Sequence, residues 1–400
     1  MSSSEKKNDN NNNIWIFDGG TGREIERRGG PFRQPEWSAL ALYEDPAIVQ
    51  DVHLSFLKAG ANAITTNTYA TVPFHLGRER YDKDAKWLLE LAVDLAHQAV
   101  AVSKKNKGEE ENNVAPVQIM GSIPPISGSY NPGDFDKAIA GPIIHDFLNA
   151  FQGKVDAILL ETMGSAQEAK FALETIAQYR QKQQETDEDA KKEIPVYLSF
   201  YVQADPQDGT ITPRLLTGDS LTEAIEYLKA ANLLDATRVP LIMINCCDIH
   251  LVGVALKELA RALDIDNHSG FRIGAYPNAF SAPPTAAANE KARDVDTNIS
   301  PALLQNMIQQ WSQETGATVF GGCCGIGPDH IRAVSNWKNK DTKGSLPPLG
   351  VDDSIPQPTS AVVSRVCRIQ GCGCGVQIGF GQAVPFLCGA ISAPENTDAN

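Results

Sequence analysis

Three cysteines are the residues of this sequence with the clearest chemical potential. Cys246 closes an apolar run, and Cys323 and Cys324 form an adjacent pair with glycines on both sides. Zn²⁺ is tetrahedral and prefers soft sulfur ligands at about 2.3 Å, and three protein ligands leave a fourth position open for a substrate. If the chain brings these sulfur atoms together, we predict a catalytic zinc site on Cys246, Cys323 and Cys324.

Other roles for these cysteines remain open from the sequence alone. Cys323 and Cys324 could be small buried residues at a strand end or a strained vicinal disulfide, and Cys246 could be a packing residue. The flanking glycines favour metal ligands, because adjacent residues reach one ion only through unusual backbone dihedrals that glycine permits. The neighbouring Cys247 should point away from Cys246 in an extended strand, so we interpret it as a packing residue.

A zinc ion with three thiolate ligands carries a net negative charge, which limits the chemistry it can support. Such an ion activates water poorly but can hold a substrate thiol as the thiolate, because coordination lowers the thiol pKa below its ordinary value of about 8.5. The sulfur stays electron-rich, which suits attack on a methyl group. A dry site would favour a sulfonium donor, since opposite charges cancel during the transfer.

Eight short apolar runs, each followed by a segment of helical periodicity, must position these residues. The runs are continuously apolar, as in parallel strands that are covered on both faces. This rhythm predicts an α/β fold, a single (β/α)₈ barrel over residues 14–340; a doubly wound open sheet is the alternative, but no GxGxxG follows the first run. The predicted strands are Ile14–Asp18, Ala63–Thr68, Val117–Ser122, Ala157–Glu161, Pro195–Tyr201, Leu241–Cys246, Arg272–Tyr276 and Thr318–Gly322.

The helix between the first two runs has clear end signals. Asp45 is suited to the N-cap, Pro46 to the first helical position and Gly60 to the C-cap. The charged segments 103–113 and 182–193 are predicted to be solvated loops. Further helices are predicted at Lys86–Val102, Ala166–Gln181, Ser220–Ala231, Val252–Leu263 and Pro301–Thr315.

Both ends of the chain depart from this rhythm. Residues 1–13 are polar and Asn-rich, and we predict a disordered tail. Residues 341–400 begin with a linker rich in Pro, Ser and Asp, and continue as a tail of unknown structure. Four more cysteines in that tail could bind a second metal, or the tail could be unstructured. These residues are Cys367, Cys372, Cys374 and Cys388.

Charge and hydropathy exclude several classes of partner. The net charge of −14 argues against a nucleic-acid or anionic-membrane partner, since both need a basic face. No apolar run reaches the roughly 18 residues of a membrane span, and the N-terminus lacks a signal core, so a cytoplasmic protein is predicted. Eight cysteines in 400 residues are too few for a disulfide scaffold, which favours metal binding or catalysis.

Polar residues at the strand ends are candidates for substrate binding, because barrel enzymes work at the C-terminal ends of their strands. Two carboxylates would suit an ammonium group, and backbone amides with threonine hydroxyls would suit a carboxylate, although each could instead be structural. Tyr69, Trp37 and Tyr130 could line a pocket for a cationic donor or could pack a lid. The predicted substrate-binding residues are Asp18, Glu161, Gly19, Gly20, Thr66 and Thr68.

Seven short stretches of the sequence, given at the end of this paragraph, resemble the homocysteine S-methyltransferase family in both residues and order over about residues 14–335. The resemblance implies zinc on Cys246, Cys323 and Cys324, and a homocysteine amino group held by Asp18 and Glu161. It also implies methionine as product and a small methyl donor, with S-methylmethionine or S-adenosylmethionine favoured over betaine. The matching stretches are DGG at 18–20, PEWSALAL at 35–42, AGANAITTNTY at 59–69, GSIPP at 121–125, LLET at 159–162, INCC at 244–247 and GGCCGIGPDHI at 321–331.

Two other classes of protein compete with this interpretation. A barrel hydrolase would need His or carboxylate ligands to keep zinc acidic, and none of the seven histidines ends a predicted strand. A non-catalytic zinc-thiolate or redox-sensing barrel protein would use the same cysteines. The sequence leaves the methyl donor and the oligomeric state undetermined, and the chain is too short for the folate and cobalamin modules of methionine synthase.

Overall fold

Eight parallel strands carry the predicted site residues at one end in the computed structural model. The structure describes residues 14–107, 116–186, 193–205, 211–267, 269–281 and 294–341. Two further short strands, β6 (Gln203–Ala204) and β7 (Pro213–Arg214), form a separate antiparallel pair. The parallel strands are β1 (Trp15–Ile16), β2 (Ala63–Thr65), β3 (Gln118–Ile123), β4 (Ala157–Met163), β5 (Val196–Phe200), β8 (Leu241–Asp248), β9 (Arg272–Asn278) and β10 (Val319–Phe320).

The parallel sheet closes on itself. Its strand order is β1-β10-β9-β8-β5-β4-β3-β2, and every neighbouring pair is parallel. A parallel bridge between Phe17 and Ala63, with the Asn62 amide donating to the Ile16 carbonyl at 2.6 Å, joins the first strand to the second. The predicted (β/α)₈ barrel is therefore confirmed, and the open-sheet alternative is wrong.

Helices surround the barrel, and the caps predicted from the sequence are present. The Asp45 side chain accepts a hydrogen bond from the Ile48 amide at the start of α3, and Gly60 ends that helix with φ of 103°, which disfavours any other residue. The helices of the described residues are α1 (Thr21–Arg27), α2 (Ala39–Glu44), α3 (Pro46–Ala59), α4 (Pro73–Leu76), α5 (Arg78–Lys107), α6 (Lys137–Phe151), α7 (Ala166–Thr186), α8 (Leu221–Ala230), α9 (Ile249–Ala262), α10 (Pro301–Thr315) and α11 (Pro328–Asp341).

Several helices differ from the sequence prediction. α5 continues to Lys107 and α7 to Thr186, so the two charged segments begin as helix rather than as loops. The remaining residues of those segments lie largely outside the described ranges. α2, α4, α11 and α6 were not predicted, and α6 contains Pro142, which removes one amide donor from the helix. Its buried face, which includes Ile143 and Phe147, stabilises the helix despite the missing amide donor.

Apolar side chains fill both the inside of the barrel and the layer between strands and helices. The interior contains Met120, Leu159 and Met243, all fully buried. A filled interior leaves no channel, so a substrate can only bind at an end of the barrel. The outer layer is a continuous core that includes Phe56 and Phe147.

Several predictions concern residues that lie outside the described part of the chain. They include the tail at residues 1–13, the segment after residue 341 and the possible second metal site there. The domain boundaries accordingly stay a prediction. In the described residues, no helix combines the length and the apolar character that crossing a membrane requires.

A buried carboxyl group on α7 gives a prediction about stability. Burial raises the pKa of Glu168 to about 7 from an ordinary 4.5, although one side-chain oxygen accepts the Ile126 amide at 3.2 Å. Between these two pH values the folded state binds more protons than the unfolded state, so the free energy of unfolding falls as pH rises. We expect Glu168→Gln to be more stable than the parent at pH 8 by up to ~3 kcal/mol, and nearly equal at pH 4.5.

Denaturant unfolding of both proteins at the two pH values measures this difference. The comparison must be between variant and parent, because Asp18 and Glu161 also have raised pKa values and give the parent the same slope. A stability difference that does not change with pH would contradict the assignment.

Candidate functional site

The sulfur atoms of Cys246, Cys323 and Cys324 meet at the C-terminal end of the barrel. All three lie within 4.8 Å of one another, and the Sγ atoms of Cys323 and Cys324 are 4.0 Å apart. Tetrahedral zinc with sulfur at 2.3 Å places its ligands about 3.8 Å apart, so a small contraction would close the cluster on an ion. This group of three cysteines is one that can hold a metal.

Strand β9 separates the two chain segments that supply these cysteines, and it fastens both. The Cys323 amide donates to the Pro277 carbonyl at 2.8 Å, and the Ala279 amide donates to the Cys324 carbonyl at 2.8 Å. From the same strand end, the Asn278 side-chain amide donates to the carbonyl of Cys246. The end of β9 therefore sets the separation between the cysteine of β8 and the pair that follows β10.

Cys246 reaches the cluster through an irregular backbone. Its φ is 53°, a left-handed value that non-glycine residues adopt at a cost, and the pairing of β8 with β9 shifts register between Asn245 and Asp248. Thr162 on β4 has a similar φ of 62° beside its own register shift. Both strands therefore end in a bulge that redirects a side chain, as bulges beside functional sites commonly do.

The Asn245 side chain holds these two bulges together. Its Nδ2 donates to Thr162 Oγ1 at 2.8 Å, and its Oδ1 accepts from the Thr162 amide at 2.8 Å and from Ser199 Oγ at 2.7 Å. Asn245 is fully buried, where each of these hydrogen bonds is costly to lose. Strands β4, β5 and β8 are thus tied by one amide directly before the cysteine.

Gly19 and Gly20 allow the loop after β1 to pass close to the cysteine pair. A Cβ on Gly19 would lie 2.2 Å from the Ile326 carbonyl oxygen, and one on Gly20 would lie 2.5 Å from the Cys323 carbonyl oxygen. The Gly20 amide donates to the Ile326 carbonyl at 3.0 Å, so it is already used inside the protein. The expectation that this amide receives a substrate carboxylate is therefore corrected, because Gly20 serves close packing.

Asp18 and Glu161 both line the cavity beside the cysteines. Asp18 accepts hydrogen bonds from the amide and the hydroxyl of Thr65 at 2.8 and 3.0 Å. Glu161 accepts from Ser122 Oγ and, at 3.3 Å, from Tyr276 OH. Burial raises the pKa of each carboxyl to about 7. A cation bound between them would favour their ionised forms, which fits the predicted ammonium site.

The two threonines predicted to assist in binding lie in an internal network. Thr68 Oγ1 donates to the Ser122 carbonyl at 2.7 Å, and Thr66 Oγ1 lies 2.9 Å from Thr68 Oγ1 while accepting the Ser122 amide at 3.1 Å. Thr66 borders the cavity, but Thr68 is fully buried and does not. The prediction for Thr68 is corrected, because its hydroxyl is used to join the end of β2 to β3.

Aromatic side chains form much of the remaining wall of the cavity, which has a volume of about 140 Å³. Trp37 stacks on Tyr69 with ring centroids 6.4 Å apart. The Tyr130 hydroxyl lies 3.2 Å from Cys246 Sγ, and its ring contacts Tyr201 edge-on. A cavity of this size suits small molecules.

The three cysteines disfavour one another's thiolate forms because they are close together and buried. The pKa values of the Cys323 and Cys324 thiols are raised, first by their contact with Cys246 and further by burial. A divalent cation would remove this penalty by offsetting the shared negative charge. Cys247 is fully buried in the outer core and outside the cluster, so its predicted packing role is confirmed.

The structure adds site residues that the sequence analysis missed. Tyr276 and Ser122 contact Glu161, Asn278 contacts Cys246, and Arg23 lines the cavity. A polar residue inside an apolar strand was an available signal for Ser122 and Asn278. Nothing in the sequence indicated the direction of Arg23 on α1.

The fold and the site together define a class: a (β/α)₈-barrel protein with three cysteine sulfurs grouped for a metal beside two buried carboxyls. A sequence profile of the homocysteine S-methyltransferase family matches residues 15–337. The chain belongs to the homocysteine S-methyltransferase family. The predicted enzyme class and reaction, methyl transfer to homocysteine giving methionine, are thereby confirmed.

Known proteins from several organisms resemble this chain along most of its length. Homocysteine S-methyltransferase 2 of Zea mays is 26% identical over 346 residues, which cover 83% of this chain and 92% of the relative. Homocysteine S-methyltransferase 3 of Arabidopsis thaliana is 27% identical and covers 84% and 93%. A selenocysteine methyltransferase of Astragalus bisulcatus is 25% identical and covers 80% and 90%.

A solved structure has the same fold. The homocysteine methyltransferase MmuM from Escherichia coli, in its metallated form, aligns with a TM-score of 0.60 and 21% sequence identity. The alignment covers 81% of this chain and 96% of that chain. At this identity the comparison establishes the barrel architecture.

The cysteine cluster gives a prediction with an internal control. We expect Cys246→Ala, Cys323→Ala and Cys324→Ala each to weaken zinc binding by more than the ~10–100-fold that loss of a supporting residue costs. Cys247→Ala should retain zinc, because its side chain packs in the core. Metal content after dialysis against a chelator, together with circular dichroism to verify folding, measures the effect. Equal zinc loss in all four variants would argue against the cluster.

Proposed function

We propose that this enzyme is zinc-dependent and holds homocysteine at two points. Its sulfur would bind at Cys246, Cys323 and Cys324, and its ammonium group would bind between Asp18 and Glu161. The observation that carries the proposal is the placement of three sulfurs within 4.8 Å of one another in the cavity that both buried carboxyls line.

The donor set of the cluster fits zinc. Three soft sulfur atoms leave a fourth position for a substrate thiol, and a divalent cation would offset the repulsion between thiolates held this close together. When bound, zinc would lower the pKa of the substrate thiol and keep its sulfur as a nucleophile. The strand ends would hold the ligands in place through Asn245 and Asn278, which fix the backbone around Cys246.

The carboxyl groups would orient the acceptor. Ser122 and Tyr276 fix Glu161 by one hydrogen bond to each carboxylate oxygen, and Thr65 fixes Asp18 by two. A bound ammonium group would stabilise the ionised forms of both carboxyls, which burial away from water disfavours. Holding both the sulfur and the ammonium group fixes the direction in which the sulfur lone pair points. The acceptor is then already oriented for attack on the methyl group.

The aromatic wall supports a cationic methyl donor. Trp37, Tyr69 and Tyr130 border the cavity, and aromatic faces attract cations within about 6 Å. In the transfer, a carbon–sulfur bond forms between the donor methyl and the homocysteine sulfur, while the methyl–sulfonium bond breaks and its electron pair stays on the donor sulfur. The acceptor thiol has already lost its proton. S-Methylmethionine or S-adenosylmethionine would supply such a methyl group, ahead of betaine-type donors.

A donor screen tests this function. Zinc-loaded full-length protein is incubated with homocysteine and, separately, S-methylmethionine, S-adenosylmethionine or betaine, and methionine is quantified. We expect methionine with at least one sulfonium donor and none after chelation of the metal. A zinc-bound protein that forms no methionine with any donor would favour a non-catalytic zinc-thiolate or redox-sensing role instead.

The ammonium site gives a second test. We expect Asp18→Asn and Glu161→Gln each to raise KM for homocysteine by roughly 10–100-fold, because a charged hydrogen bond in a buried site is lost. Zinc content should stay unchanged. Glu168→Gln is the matched control, since Glu168 is also buried with a raised pKa but lies outside the cavity. An unaltered KM in Glu161→Gln would remove that residue from the acceptor site.

A further inference from the structure

Arg23 is a cationic side chain in the wall of the cavity. It lies on α1, and 12% of its side chain is exposed. Among the described residues that line the cavity, Arg23 is the only lysine or arginine. The ammonium site proposed above uses the two carboxyls and does not involve this guanidinium.

Two aromatic rings hold the guanidinium of Arg23. Its central carbon lies 5.9 Å from the centroid of the Phe32 ring and 5.6 Å from that of Phe280, and both rings also line the cavity. One nitrogen pairs with Glu26, a turn further along the same helix. Arginine has five N–H donors in a rigid plane, so a guanidinium that already pairs with Glu26 can donate to more than one acceptor.

The surroundings of Arg23 are separate from the ammonium site. Asp18 and Glu161 belong to the ends of β1 and β4, and within the described residues neither forms an ion pair with Arg23. Arg23 and its two rings lie in segments beyond the strand ends. Phe32 follows α1 and Phe280 follows β9. A second molecule that approaches the acceptor sulfur from outside the barrel would contact Arg23 and these two rings.

We propose that Arg23 binds the carboxylate of the methyl donor, and thereby selects sulfonium donors that carry an amino-acid head group over simple alkyl sulfonium ions. The inference rests on the proposed function. A donor of this class has a cationic sulfur and a carboxylate at opposite ends of a short chain. The aromatic wall suits its sulfur and Arg23 suits its carboxylate, so one end of the donor is fixed while the methyl group faces the acceptor sulfur.

An experiment on the principle of a double-mutant cycle tests this contact by removing a group from the enzyme, from the donor, and from both. Arg23→Gln removes the guanidinium, and (3-aminopropyl)dimethylsulfonium in place of S-methylmethionine removes the donor carboxylate. With the unaltered enzyme, loss of the carboxylate should raise donor KM by roughly 10–100-fold. In Arg23→Gln the two donors should have nearly equal KM, because the partner of the carboxylate is gone. KM for homocysteine and zinc content should not change.

Controls separate this role from a structural one. Arg27→Gln, on the same helix with its side chain 66% exposed and paired to Glu24, should behave like the parent protein. Arg23→Lys should recover part of the preference for the carboxylate, since the positive charge returns without the fork geometry. Calorimetric titration of both donors into zinc-loaded protein without homocysteine gives the same comparison independently of turnover.

Three results would overturn the proposal. The first is an equal increase of KM for both donors in Arg23→Gln, which would mean that the side chain acts through structure. The second is coupling of Arg23 to the acceptor instead, seen when 3-mercaptopropylamine replaces homocysteine. In both cases the enzyme still forms methionine when homocysteine is the acceptor, so the proposed function stands. The third is the absence of transfer from every donor in the unaltered enzyme, which would overturn the proposed function and this role together.

Discussion

The meeting of three sulfur atoms from β8 and from the loop after β10 is the interaction on which the site depends. These strands are not neighbours, because β9 lies between them. A regular barrel would hold Cys246 one strand away from the pair, and the distance is closed by a left-handed residue on one side and a glycine-flanked turn on the other. The end of β9 bonds to both segments, so the backbone that carries the three cysteines is held together by the protein's own hydrogen bonds.

Buried polar groups keep that geometry because their hydrogen bonds have no water to replace them. Asn245 ties the bulges of β4 and β8, and the carboxyls of Asp18 and Glu161 are each held by neighbouring side chains. Burial makes these hydrogen bonds costly to lose, and it also raises the pKa of both carboxyls. The cavity therefore holds two carboxyl groups whose ionised forms a bound cation would stabilise, beside three sulfurs grouped for a metal.

Much of the fold was predictable, because strand periodicity and helix caps are local properties of the sequence. All eight barrel strands lie where the apolar runs predicted them, and the three cysteines were found because barrel topology brings strand ends together. Arg23 and the true role of Gly20 were missed because they depend on contacts between distant segments. Thr68 was misplaced because its strand ends earlier than expected, at Thr65, and turns the hydroxyl inward.

The two consecutive cysteines of β8 have opposite surroundings, since Cys246 faces the cavity and Cys247 is packed among apolar residues outside the barrel. Side chains alternate along a strand, so an insertion or deletion of one residue within β8 ahead of Cys246 would exchange these environments and move the bridging amide of Asn245 as well. Such a change keeps the number of thiols in the strand but destroys their arrangement. The number of residues between the paired part of β8 and Cys246 is therefore fixed by the site, whereas a change of length in the loop before the strand does not alter that number.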